Sequence, residues 1–201
     1  MEDEIYEAEY SISEGFTVVN LRLKPYESVF VIFDGGNSSF HFKNTKKLYI
    51  GNFNTEKVIE GEWKVYISTA EEYPKFKRQY QIGKLGNISI PQLLPSFSGT
   101  VRYEITFHFD AKDIKDRVLL DMGEVYEIAE VKLNGKWVNT RICPPYTFDV
   151  TKYIHEGENM LQMDITNTLA KKHPENEFDR AMPQEPSGLM GPVKLQYNVA
   201  E

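Results

Sequence analysis

The chain has 201 residues and a net charge of −7, and its 23 basic residues form no cluster. It therefore lacks the electrostatic footprint of a nucleic-acid-binding protein. No apolar run approaches the roughly 20 residues of a membrane-spanning helix, and the acidic beginning MEDEIYEAEY is unlike a signal peptide, so we expect no membrane partner and localisation stays open. One cysteine, Cys143, excludes an internal disulfide and a cysteine cluster for zinc.

The length allows one substantial core, or one core with a small appendage. A catalytic (β/α)₈ barrel alone takes about 250 residues, and no stretch alternates strands with long amphipathic helices. Aromatic residues, 12 Tyr and 12 Phe among them, favour strands. These features predict an all-β, antiparallel protein without a catalytic barrel.

The first part of the chain contains two strand candidates, Phe16–Leu23 and Ser28–Asp34, which we expect to form a hairpin around Lys24–Glu27. We set a boundary near Val58. Residues 1–58 then form an N-terminal strand segment, which is either the tail of a preceding region or an addition to a sandwich at 59–201.

Within residues 59–201, Glu62–Ser68 alternates apolar and polar residues like a half-buried strand, and Tyr73–Ser96 is rich in loop residues. Val101–Phe109 alternates cleanly, which predicts one buried and one wetter face. Arg117–Asp121 and Val193–Val199 are further strand candidates, and Thr168–Ser187 is a long polar loop. The pattern favours a β-sandwich.

The most informative stretch runs from Leu119 to Thr168. Val125–Leu133 and Lys136–Ile142 are strand-like runs joined by Asn134-Gly135, a pair that tolerates the positive φ values of a type I′ turn. Three further turn elements follow: a proline interruption, a single helical turn capped by Asp149 or Thr151, and a glycine turn before a strand at Met160–Thr166. They are Cys143-Pro144-Pro145, Asp149–Ile154 and Gly157-Glu158-Asn159.

These turns and strands resemble a known module, the sugar-binding β-sandwich of family-two-type glycoside hydrolases. The segments that carry the resemblance are Val131–Gly135, Pro144–Thr151, Gly157–Asn159 and Ile165–Thr168, with Phe97–Tyr103 as an opening and Glu185–Val193 as a closing strand. The combination of Pro-Pro-Tyr with Pro-Ser-Gly-Leu is most similar to the C-terminal sandwich of α-L-rhamnosidase-like enzymes. Lys24–Phe33 also resembles the segment before it.

The resemblance implies a galactose-binding-like jelly roll that lacks the catalytic acids. It also implies a structural calcium as a possible cofactor, and either carbohydrate or the enzyme's catalytic domain as the partner. From the residues themselves, metal chemistry has no support, because the four histidines are scattered without zinc-like spacing.

The candidate sugar contacts are Trp137, Arg141 and Tyr146. Direct pairing across the Asn134-Gly135 hairpin places Trp137 and Arg141 on one polar face, where an indole offers a plate for the apolar side of a pyranose. Tyr146 follows the proline corner in a connecting segment, where ligand contacts collect. The alternatives are that Trp137 packs against another sheet or domain, and that Tyr146 is clamped beneath the corner.

Two function classes remain open. The first is a non-catalytic carbohydrate-binding or accessory domain of a glycoside hydrolase. The second is a structural or interaction module without sugar binding, which docks a catalytic domain or associates with itself, so the oligomeric state is undetermined. A small independent hydrolase is the least favoured reading.

Overall fold

The computed structural model describes residues 8, 10–21, 23, 28–33, 53–110, 117–172 and 185–199. Internal contacts divide the chain into two units, residues 1–52 and 53–201. The division lies a few residues before the boundary expected from the sequence. A short strand, Thr55–Val58, belongs to the second unit, where it pairs with Lys194–Tyr197.

The described residues form strands and one short 3₁₀ helix, Leu169–Lys172. The strands are β1 Tyr10–Ser13, β2 Phe16–Val19, β3 Thr55–Val58, β4 Trp63–Thr69, β5 Arg78–Ile82, β6 Gly99–Phe109, β7 Leu119–Asp121, β8 Glu124–Tyr126, β9 Ile128–Leu133, β10 Lys136–Arg141, β11 Thr147–Asp149, β12 Gly157–Thr166, β13 Gly188–Gly191 and β14 Lys194–Tyr197. All ladders between these strands are antiparallel. The all-β prediction is confirmed.

The second unit is a sandwich of a six-stranded and a four-stranded sheet. The strand orders are β10-β9-β12-β6-β4-β5 and β11-β7-β14-β3. Apolar residues of both sheets share one core, and Phe109 of β6 meets Tyr197 of β14 edge-on with ring centroids 5.4 Å apart. Trp63, Val65 and Ile67 are buried as their alternation predicts. The core therefore lies between the two sheets, and the opposite side of each sheet is its outer face.

Three strand predictions are wrong in detail. Phe16–Val19 pairs with the preceding Tyr10–Ser13 and not with residues 28–33, which form no strand; Asp34 lies outside the described residues. A strand, Arg78–Ile82, lies within the expected loop because it pairs with β4. The single strand expected at Val125–Leu133 is two, because β8 pairs with β13 while β9 pairs with β10 and β12.

The Asn-Gly turn and the Gly-Glu-Asn segment hold each other through side chains. Asn134 and Gly135 have φ values of 53° and 76°, as the turn prediction requires. Asn134 Nδ2 donates to Asn159 Oδ1 at 2.8 Å and to Tyr153 O at 2.9 Å, and Met160 N donates to Asn134 Oδ1 at 2.9 Å. The glycine segment itself begins β12 and does not form the turn, which lies before it.

The helical turn expected at Asp149–Ile154 is present, and it lies in the loop between β11 and β12. Val150 O accepts hydrogen bonds from the amides of Tyr153 and Ile154. Asp149 Oδ1 accepts from the Thr151 amide at 3.0 Å and from its hydroxyl, so Asp149 caps the turn. The cap and the interlocked asparagines together fix the end of the sandwich where β9, β10 and β12 meet.

Candidate functional site on the outer face

Trp137 lies on the outer face of the six-stranded sheet, on the edge strand β10. Its side chain is 54% exposed, whereas the second tryptophan, Trp63, is buried in the core. Trp137 pairs directly with Lys132 of β9, so the two side chains share a face. The structure therefore leaves a large aromatic surface open to solvent beside a cation.

The prediction that Trp137 and Arg141 share a face is wrong, because β10 contains a bulge. The register shifts between Trp137 and Asn139, so that Thr140 pairs with Glu130 and Arg141 pairs with the buried Ala129. One extra residue in a strand moves every later side chain to the opposite face. Arg141 is thereby turned towards the core side, where its Nε is buried.

Tyr146 is buried beneath the proline corner. Its hydroxyl donates to the carbonyl of Glu127, and its own carbonyl accepts from the amide of Met122. Burial raises the pKa of Tyr146 to about 12, so the phenol is neutral in the folded protein. This arrangement matches the alternative to a sugar contact, in which Tyr146 is clamped beneath the corner. The structure does not bring the three candidate residues together, and their sugar contact stays a prediction.

The strand register instead places four polar residues in line with Trp137 across the sheet. Lys132 pairs with Gln162, Gln162 with Glu104, and Glu104 with Lys64. We call the five residues from Trp137 to Lys64 the Trp137 row. Four strand spacings make it about 19 Å long. It combines one aromatic plate with donors of both cationic and amide type and one carboxylate acceptor.

The adjacent row of the same face is closed at its centre. Arg102 donates two hydrogen bonds of 2.7 Å to Asp164, which is buried, and these bonds raise the pKa of Arg102. The ring of Phe76 covers the guanidinium, with 3.9 Å between Arg102 Cζ and the ring centroid. In the neighbouring Trp137 row, Trp137 and Lys64 at the two ends are exposed and the three residues between them are half-buried. Sequence reasoning missed both rows, since they depend on long-range register.

The described residues give calcium no carboxylate cage, since no group of three or more His, Cys, Asp or Glu side chains among them is placed to hold a metal. Asp149 and Asp164 instead pair with Arg117 and Arg102. The carboxylates of the long polar loop, Glu175, Glu177 and Asp179, lie outside the described residues. In the part of the chain with assigned structure, no helix is long and apolar enough to span a bilayer.

The fold is that of a glycoside-hydrolase-associated, galactose-binding-like β-sandwich. The chain belongs to the glycosyl hydrolase 2 galactose-binding domain-like family, whose model matches residues 97–199. The match begins at Phe97, the residue from which the opening strand was predicted. The recognised relationship is thus confirmed, and the family is that of a domain other than the catalytic one.

The chain spans between 6% and 30% of the length of three proteins that it matches. A putative beta-glucuronidase of Formosa agariphila is 45% identical over 73 residues, which are 35% of this chain and 6% of that protein. The solved rhamnosidase from Novosphingobium sp. PP1Y matches with a TM-score of 0.70 and 26% identity, over 94% of this chain and 19% of that one. The β-glucuronidase from Ruminococcus gnavus shares the fold, with a TM-score of 0.54 and 16% identity over 73% of this chain and 30% of that one.

Proposed function

We propose that this chain is a non-catalytic accessory domain of a rhamnosidase-like glycoside hydrolase that contacts carbohydrate through the Trp137 row. The exposed indole of Trp137 carries this proposal. A solvent-exposed tryptophan is unusual, because the residue is highly buried on average. In its row across this face Trp137 is joined by polar side chains.

The chemistry of the row suits a saccharide. The C–H face of a pyranose is apolar and can lie against the indole, while the hydroxyl rim accepts hydrogen bonds from Lys132 and Gln162 and donates them to Glu104. Trp137 is 54% exposed on the outer face of a sheet, so we expect only part of a bound ligand to be desolvated. We therefore expect a dissociation constant of about 1 mM, equivalent to about −4 kcal/mol.

Affinity electrophoresis of the 201-residue chain tests the proposal. Retardation in native gels containing pectic polysaccharide, with rhamnose and galactose as competitors, measures binding without a catalytic readout. Trp137→Ala should abolish nearly all of the retardation, because truncating a tryptophan that anchors a contact commonly costs about 2 kcal/mol or more. The matched control is Ile142→Ala, which removes an exposed apolar side chain from the same edge, 74% exposed in the structure, and should retain binding. Equal loss in both variants would contradict the row.

A second candidate function, an interaction module without sugar binding that docks a catalytic domain or associates with itself, is favoured by one end of the same edge. Ile142 follows Arg141, the partner of Ala129, and so lies beside Ile128, which is also exposed. Apolar residues at the rim suit a protein surface better than a sugar. Light scattering discriminates between them: a stable dimer that Ile142→Asp dissolves would favour an interaction module and cover the proposed sugar contact.

The proposal includes the absence of independent catalysis. Glycoside hydrolysis needs two carboxyl groups about 5–5.5 Å or 6.5–9.5 Å apart on either side of a bound sugar. Glu104 is the one carboxylate of the Trp137 row, and its partners in the register are Lys64 and Gln162. The row therefore offers no second carboxyl group for this reaction. We expect no turnover of aryl-rhamnosides, aryl-glucuronides or aryl-galactosides by the chain alone. Turnover proportional to protein concentration would overturn this part of the proposal.

A further inference from the structure

The described residues of the first unit include a hairpin whose apolar side chains are largely exposed. β1 and β2 are joined by Glu14-Gly15, with φ values of 51° and 82°, the conformation of a tight hairpin turn. Every residue of the two strands is exposed except Val19, which is half-buried. An isolated two-stranded ribbon is at best marginally stable in water, so this hairpin needs a partner surface.

The apolar exposure is not confined to the hairpin. Eleven large apolar side chains of the described part of the first unit are between 40% and 88% exposed: Tyr10, Ile12, Phe16, Val18, Leu21, Leu23, Val29, Phe30, Val31, Ile32 and Phe33. We call the described residues from 10 to 33 the N-terminal apolar segment. Exposed apolar surface on this scale marks an interaction site.

The sequence of residues 28–33 indicates the kind of surface that covers the segment. Ser28 is followed by five apolar residues without alternation. A strand with one wet face alternates, whereas a continuous apolar run is typical of a strand buried on both faces. None of the ladders among the described residues includes 28–33. Another sheet with an apolar layer would supply both the hydrogen-bonding edge and the cover.

The comparison with the Novosphingobium rhamnosidase indicates which part of a protein covers the N-terminal apolar segment. Its match covers 94% of this chain, and the first unit, Met1–Asn52, makes up about a quarter of the chain, so the match must include most of that unit. The match to the Ruminococcus β-glucuronidase covers 73% of this chain, which is no more than the share that the second unit, Phe53–Glu201, makes up alone. In the rhamnosidase, four fifths of the chain lies beyond the match and is available to cover these residues.

We propose that the N-terminal apolar segment docks against a β-sheet of a further domain of the glycoside hydrolase. The segment then joins the accessory sandwich to the rest of the enzyme. This interface rests on the proposed membership of a glycoside hydrolase but not on the Trp137 row, so sugar contact and docking can fail separately.

The 201-residue chain tests two other occupants, which are this chain's own sandwich and a second copy of the chain. Ile12→Asp and Phe30→Asp each introduce a charge into the segment, and Ser13→Asp does so at a polar position of the same hairpin. We expect a monomer of 23.3 kDa by light scattering and a urea midpoint, followed through buried Trp63, that is the same in all three variants and the wild type. A dimer dissolved by Ile12→Asp or Phe30→Asp would overturn the proposal in favour of a second copy. A lower midpoint in these two variants alone would overturn it in favour of the sandwich.

The intact rhamnosidase tests the positive claim. In its solved structure, the residues that match 10–19 and 28–33 should contact residues outside the matched fifth of the chain. Aspartate introduced at the positions matching Ile12 and Phe30 should lower that enzyme's melting temperature, while aspartate at the position matching Ser13 should not. Solvent-exposed counterparts, or an unchanged melting temperature in all variants, would refute the proposal.

Discussion

Replacing Asn159 with alanine should destabilise the sandwich more than any substitution at an exposed position of the same strand. The Asn159 side chain is 1% exposed. Its Oδ1 accepts from the His155 amide at 3.0 Å and from Asn134 Nδ2 at 2.8 Å, and its Nδ2 donates to the carbonyls of His155 at 2.7 Å and Gly157 at 3.1 Å. The amide thus joins the Asn-Gly turn to the start of β12.

The size of the effect follows from these four hydrogen bonds. Each hydrogen bond contributes about 1 kcal/mol net, and a partner group that stays buried after losing its hydrogen bond costs more. Asn134 retains its bond to Tyr153, and water reaches the exposed His155. We therefore expect a loss of about 3 kcal/mol in the free energy of unfolding. For a domain of this size that lowers the melting temperature by about 6–12 °C.

Urea unfolding followed by Trp63 fluorescence measures the change. The matched control is Glu158→Ala, one position earlier on β12 with an exposed side chain, which should change the free energy of unfolding by less than about 0.5 kcal/mol. A loss for Asn159→Ala no larger than the loss for this control would show that the interlocked turns do not stabilise the fold.

Three further perturbations test other parts of the account. Asp164→Ala leaves Arg102 without its counter-charge and should cost about 2–4 kcal/mol in urea unfolding, less than a fully buried pair because Arg102 keeps some exposure. Gly123→Ala would place a Cβ 2.4 Å from the Gly191 carbonyl oxygen, so we expect a loss above about 4 kcal/mol, visible as a lower melting temperature or insoluble protein. Burial raises the pKa of Tyr146 to about 12 from about 10 in an unfolded chain. The folded state therefore holds this proton more tightly, and its contribution is complete below pH 10 and lost towards pH 12. In Tyr146→Phe the free energy of unfolding should decline less steeply between pH 10 and 12, by up to about 1.4 kcal/mol per pH unit.

Each of these three perturbations has a control within the same chain. Glu71→Gln breaks the exposed ion pair with Lys172, which solvent screens, and should leave the urea midpoint close to that of the wild type. Gly157→Ala also meets a positive φ, 92°, but no atom lies within 4 Å of the added Cβ, so it should cost only about 1 kcal/mol. Tyr103, whose pKa burial also raises to about 12, should keep part of the alkaline decline in Tyr146→Phe. A loss in Glu71→Gln equal to that in Asp164→Ala, or in Gly157→Ala equal to that in Gly123→Ala, would contradict the stated cause. So would a Tyr146→Phe variant that shows no remaining alkaline decline.

The parts of the fold that depend on local pattern could be predicted. Val101–Phe109 is buried at alternate positions because a strand has a period of two, and Asn134-Gly135 turns because both residues tolerate positive φ. The N-terminal hairpin also had a local signal, the turn at Glu14-Gly15, but the proline at Lys24–Glu27 drew the prediction to the wrong pair of strands.

The candidate site could be predicted only in part, because long-range pairing decides it. The exposed Trp137 agrees with the polar face expected for it. The bulge that turns Arg141 away has no sequence signature, since it arises from how β10 fits β9. Tyr146 is clamped by Glu127, which is distant in the sequence, at the point where the chain changes sheets between β8 and β9. The Trp137 row requires several strands to be in register, which no local window contains.

The indole N–H signals of the two tryptophans test the central claim most directly. Trp137 is exposed on the outer face and Trp63 is 2% exposed in the core, so one spectrum of the nitrogen-15-labelled chain contains both the probe and its control. We expect rhamnose, galactose or pectic oligosaccharides to shift the Trp137 signal saturably at millimolar concentration while the Trp63 signal stays fixed. A Trp137 signal that does not move with any of these sugars would contradict the account.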